Sequence, residues 1–72
     1  MGEQLVLKVE GMTCNHCKAA VENAVRQLSG VLAAEVDLGR KTVTVQYEPD
    51  RVSVEQMKQA IEEEGYDVVD VS

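Results

Sequence analysis

Residues 4–28 read QLVLKVEGMTCNHCKAAVENAVRQL, and the fold turns on the change of period inside them. From Gln4 to Glu10 the chain alternates. Leu5, Leu7 and Val9 share one face and Gln4, Val6 and Lys8 the other, the pattern of a strand with one buried face. Glu10-Gly11-Met12-Thr13 breaks the alternation and reads as a loop. From about Asn15 the period is helical, with Cys17, Ala20, Val21, Ala24, Val25 and Leu28 in one apolar stripe. Lys18, Glu22, Asn23, Arg26 and Gln27 take the wet side. Ser29-Gly30 ends this helix, glycine supplying the left-handed cap.

Working outward, Val31 to Leu38 reads as a second strand, with Leu32, Ala34, Val36 and Leu38 alternating against Ala33, Glu35 and Asp37. Gly39-Arg40 is expected to be a tight turn in which Gly39 supplies a positive φ. Lys41 to Glu48 follows as a third strand, with Val43, Val45 and Tyr47 inward. After the turn at Glu48-Pro49-Asp50, Ser53 caps a second helix, with Gln56 as its capping-box partner. Val54, Met57, Ala60 and Ile61 are its apolar stripe, and Gly65 stops it. Glu62, Glu63 and Glu64 stand at its end, where negative charge opposes the helix dipole. That run reads as a solvated acidic face, with partner docking as its other use. Tyr66 to Val71 is the last strand.

The order β-α-β-β-α-β, built from two β-α-β halves with right-handed crossovers, predicts an α+β, ferredoxin-like sandwich. Its sheet is four-stranded and antiparallel, with both helices on one face and the other face wet. Residues 1–72 are expected to form a single domain.

Composition narrows the function. The chain is 44% hydrophobic and 28% charged with one Pro, which excludes a disordered tail or a low-complexity linker. No Trp or Phe is present, so the core is aliphatic and rich in Val. A net charge of -6 opposes binding to nucleic acid, which needs Lys and Arg against phosphates. Met1-Gly2-Glu3-Gln4 shows no secretory pattern, and no apolar run approaches the ~20 residues of a membrane helix. These features predict a cytoplasmic protein that does not insert into a membrane.

The chemistry sits in Gly11-Met12-Thr13-Cys14-Asn15-His16-Cys17. Cys14 falls in the loop and Cys17 in the first turn of the first helix. The unpaired N–H groups and partial positive charge there favour thiolate, so both cysteines are expected to ionise below the free value of about 8.5. Cys17 opens the apolar stripe and faces inward, whereas Cys14 is the more exposed. Two thiolates are too few for a closed zinc site, which wants four ligands. A soft ion of low coordination number accepts two, and Cu(I) is the commonest in biology. Such a site is open to a third thiolate, so the ion passes between proteins through shared ligands.

The string Gly-Met-Thr-Cys-x-x-Cys between a first strand and a first helix resembles the heavy-metal-associated domain family, over roughly residues 4 to 70. His16, directly before the second cysteine, is similar to the stand-alone bacterial copper chaperones within that family. The resemblance implies a soluble, non-enzymatic carrier of Cu(I) with Cys14 and Cys17 as ligands. Met12 then packs inward to support the loop that also carries Thr13, and Tyr66 approaches the metal loop from the start of the last strand. The implied partner is the metal-binding domain of a copper-transporting P-type ATPase. A copper-responsive repressor and a copper-bridged homodimer are further implied associations. His16 reads as an exposed imidazole tuning the loop's charge, with a third ligand across a dimer as the alternative. Tyr66 reads as packing beside the site rather than as a ligand.

Three other readings share the scaffold or the cysteine pair. One is a metal-binding domain cut from a copper or heavy-metal P-type ATPase. Another is a carrier for Hg(II), Zn(II) or Cd(II). The third is a dithiol redox protein, against which stand the missing Trp before the motif and the missing Pro inside it.

Overall fold

A computed structural model describes residues 2–12 and 15–71. Its elements are β1 (Glu3–Glu10), α1 (Asn15–Arg26), β2 (Val31–Asp37), β3 (Thr42–Tyr47), α2 (Val54–Glu63) and β4 (Asp67–Val71). The four strands form one sheet in the order β2-β3-β1-β4, and every neighbouring pair is antiparallel. β1 and β4 are central and edge strands respectively, and each helix crosses over one intervening strand. This is the expected ferredoxin-like arrangement.

The alternation of β1 settles which face is covered. Leu5, Leu7 and Val9 are buried, and beside them on β3 lie Val45 and Val43. Ala34 and Val36 continue the layer on β2. The helices close it with Val21 and Val25 from α1 and Met57 and Ile61 from α2. Met12 and Val52 complete the core, which holds no buried polar residue among the described ones. Val52, just ahead of the capped helix, escapes the periodicity because it belongs to no element. Eight of these side chains are below 2% exposed, so the interior is closed to water.

The capping box of α2 is formed as expected. The Gln56 N–H donates to Ser53 Oγ at 3.2 Å, and the Ser53 N–H donates to Gln56 Oε1 at 2.9 Å. Gly30 and Gly65 adopt φ of +98° and +97° at the two helix exits.

Three expectations are corrected. Leu32 does not face inward but is 57% exposed, because a bulge between Val31 and Ala33 shifts the register there and puts Val31 against the core instead. Gly39 is not the positive-φ residue of the hairpin. Lys41 is, at +59°, while the Arg40 N–H donates to the Asp37 carboxylate at 3.1 Å and forms the turn. Glu22 and Arg26 are not merely wet. The Val36 N–H donates to the Glu22 carboxylate at 2.9 Å, and the Arg26 guanidinium donates to the Ala34 carbonyl at 2.8 Å. The strand limits also tighten: Lys41, Glu48 and Leu38 fall just outside β3 and β2, and Tyr66 precedes β4.

Candidate metal centre

Strand directions gather three connections at one end of the domain. β1 ends at Glu10, which lies in register with Asp67 at the start of β4. The Val9 N–H donates to the Lys41 carbonyl at 2.8 Å, which brings the β2–β3 hairpin to the same place. The end of β1, that hairpin and the α2–β4 turn therefore lie at the same end of the sheet.

Of the cysteine pair, Cys17 is the third residue of α1. It is half-buried and packs against the core. The N–H groups of a first helical turn have no intrahelical acceptor, so this position offers a negative sulfur a favourable field. Asn15 and His16 precede it and are both exposed. Thr13 and Cys14 lie outside the described residues, so the expected pairing of the two sulfurs has no described geometry. No group of three His, Cys, Asp or Glu side chains fit to hold a metal occurs among the described residues.

Met12 is 3% exposed and belongs to the core cluster. Its chain reverses from the sheet through Gly11, at φ +98°. Tyr66 is half-buried, packs against the core and lies against Gly11: a Cβ built on Gly11 would stand 3.2 Å from Tyr66 Cδ1. The family resemblance implied that Tyr66 approaches this loop, and the structure places its ring against Gly11.

The surface charge of this end is mixed. Glu62, Glu63 and Glu64 at the end of α2 and Asp67 at the start of β4 are exposed. Arg40 approaches Asp37 at 4.0 Å and Lys41 approaches Glu10 at 3.9 Å, both pairs largely solvated. Such pairs contribute little to stability. They do take two cations of this end into local partnerships, leaving the acidic end of α2 uncompensated by them. Among the described residues no helix is long and apolar enough to cross a membrane.

The arrangement matches known proteins along nearly the whole chain. The copper chaperone CopZ of Staphylococcus haemolyticus is 60% identical over 63 residues, covering 88% of this chain and 93% of that protein. A solved structure of a CopZ metallochaperone superposes with a TM-score of 0.92 at 54% identity, covering 93% of this chain and all (100%) of the other. The Cu(I)-loaded N-terminal domain of a potential copper-translocating P-type ATPase from Bacillus subtilis gives a TM-score of 0.90 at 35% identity, covering 100% of this chain and 86% of that one. Residues 6–67 match the heavy-metal-associated domain, and the chain belongs to that family.

Proposed function

We propose that the protein is a copper chaperone. It holds Cu(I) between the thiolates of Cys14 and Cys17 and delivers it by ligand exchange to the metal-binding domain of a copper-transporting P-type ATPase. It works where thiols stay reduced, in the cytoplasm. The observation that carries the reading is the position of Cys17: a sulfur in the first turn of α1, three residues after a second cysteine, in a chain similar to CopZ throughout.

The chemistry follows from the ligands. Each thiol loses its proton on binding, and two sulfurs hold a soft ion in low coordination. A thiolate of the partner adds as a third ligand and one of the two leaves, so copper keeps its oxidation state and never enters water as a free ion. Nothing is oxidised or reduced, and the only bonds exchanged are S–H and copper–sulfur bonds. The protein binds and transfers, and turns nothing over.

The test is an anaerobic Cu(I) titration against a chromophoric chelator, with Zn(II) in parallel, on the wild type, Cys14→Ser and Cys17→Ser. Uptake of Cu(I) far in preference to Zn(II), lost in either variant, is expected. Uptake indifferent to the cysteines refutes the reading, and a preference for another soft ion moves it to that metal.

A further inference from the structure

The two outer edges of the sheet are treated differently. Along β2, Glu22 and Arg26 of α1 take the Val36 N–H and the Ala34 carbonyl. Each follows a buried residue of its helix, Val21 or Val25. In α2 the residues that follow buried Met57 and Ile61 are Lys58 and Glu62, the same two charges in reverse order. Both are exposed, and among the described residues no side chain of α2 bonds to β4. The outer edge of β4 is left open.

That edge is polar backbone flanked by apolar side chains. The Val9 N–H turns to the Lys41 carbonyl on the β3 side, so the alternate residue Lys8 bonds toward β4, where Asp70 stands in register with it. Val71 then turns its N–H outward, and the Asp70 carboxylate accepts it at 2.9 Å. Val69 falls in the register shift between Val68 and Asp70 and is matched to no residue of β1. Val69 is 53% exposed and Val71 40%. Asp67 and Asp70 alternate with them and are exposed as well.

We propose that the β4 edge docks an extended, cationic segment of a partner protein, in which lysine or arginine alternates with aliphatic residues. Backbone pairing supplies the hold, as in other additions of a strand to an open sheet. Val69 and Val71 gain apolar neighbours, and Asp67 and Asp70 take the cations. Charge selects the occupant. A second copy of this chain, at a net charge of -6, would bring its own Asp67 and Asp70 against this acidic edge. Asp70 is also the latch. While its carboxylate covers the Val71 N–H, an incoming strand lacks that donor; a cationic side chain draws the carboxylate away and frees it. Lys8 stands across the ladder from Asp70, yet the carboxylate turns to the backbone instead.

The test uses the whole metal-free protein, its amide NMR signals, and short capped peptides of alternating lysine and valine or alternating glutamate and valine. The lysine peptide is expected to shift the signals of residues 67–71 to saturation, and the glutamate peptide to leave them in place. A lysine peptide N-methylated at alternate residues keeps its charge but cannot pair, and is expected to bind about 10-fold more weakly or worse, the scale of a few lost hydrogen bonds. The double variant Asp67→Lys with Asp70→Lys is expected to exchange the two preferences. Where that variant does not fold, the N-methyl comparison on the wild type decides. Absence of saturable shifts at 67–71, equal binding of the N-methylated peptide, or an unchanged preference in the folded double variant overturns the proposal. Shifts at 67–71 that grow with protein concentration alone assign the edge to a second copy and overturn it too. Copper plays no part in these measurements, so this proposal and the copper reading can fail separately.

Discussion

The Glu22 carboxylate accepts the N–H of Val36 at 2.9 Å, and one helical turn later Arg26 donates to the carbonyl of Ala34 at 2.8 Å. Two side chains of α1 thus occupy groups that the edge strand β2 would otherwise present to solvent. Unpaired strand edges invite pairing with another chain. Each bond has a charged partner but lies near solvent, so Glu22→Ala and Arg26→Ala are each expected to cost about 1 kcal/mol in urea unfolding. The double variant, with the edge reopened, is expected to self-associate in sedimentation at concentrations where the wild type does not. A double variant that sediments like the wild type refutes the edge role.

Met57 is fully buried at 0% exposure between α2 and the sheet. Met57→Ala removes that volume from an interior with few neighbours to collapse into it, and about 3 kcal/mol is the expected loss. Domains of this size hold only about 5 kcal/mol or somewhat more in all. Denaturant titration should therefore find the variant folded in buffer with only about 2 kcal/mol of stability left; a loss below about 1 kcal/mol contradicts the packing described.

Lys41 carries a left-handed backbone at φ +59°. That conformation costs an L residue roughly 1 kcal/mol, least for Asn. Against it stands a pair with Glu10 at 3.9 Å, half-exposed on both sides, which is worth less. Lys41→Asn should therefore raise stability by about 0.5 kcal/mol, whereas Lys41→Val should lower it. Thermal melts of the two variants check the sign.

Ligand linkage gives a fourth outcome. An ion bound only by the folded state at about 100 times its dissociation constant adds roughly 2.7 kcal/mol. In a chain this short each kcal/mol moves the midpoint by about 4 °C or more. Cu(I) buffered at about 100 times its dissociation constant should raise the wild-type melting temperature by about 10 °C, and Cys17→Ser should abolish the rise.

The sequence made the order of elements legible because period and punctuation agreed. Leu5, Leu7 and Val9 alternate, Val21 and Val25 repeat helically, and Ser53 with Gln56 announces α2. Departures occur where a feature depends on a neighbour far along the chain. Leu32 fits an alternation that the bulge at Val31/Ala33 interrupts. The hairpin is shaped by the Asp37 carboxylate binding the Arg40 N–H, so the positive φ moves from Gly39 to Lys41. Glu22 and Arg26 have the polarity of an exposed face, and only the position of β2 beside α1 gives them acceptors and donors. At the site, the place of Cys17 in the first turn of α1 was readable from spacing, while Cys14 lies outside the described residues. The approach of Tyr66 to the loop came from the family resemblance and not from spacing, because the contact with Gly11 joins residues at opposite ends of the chain.

The scarcity of aromatic residues has an optical consequence. Tyr66 sits against the loop stem, while Tyr47 lies in register with Glu3 and Val31 at the other end of the sheet. Along β1 the two ends are about 20 Å apart at the usual rise per residue. With no Trp to dominate the emission, the protein carries a native fluorophore beside its loop and a second one remote from it, a signal and an internal reference in the same unlabelled molecule.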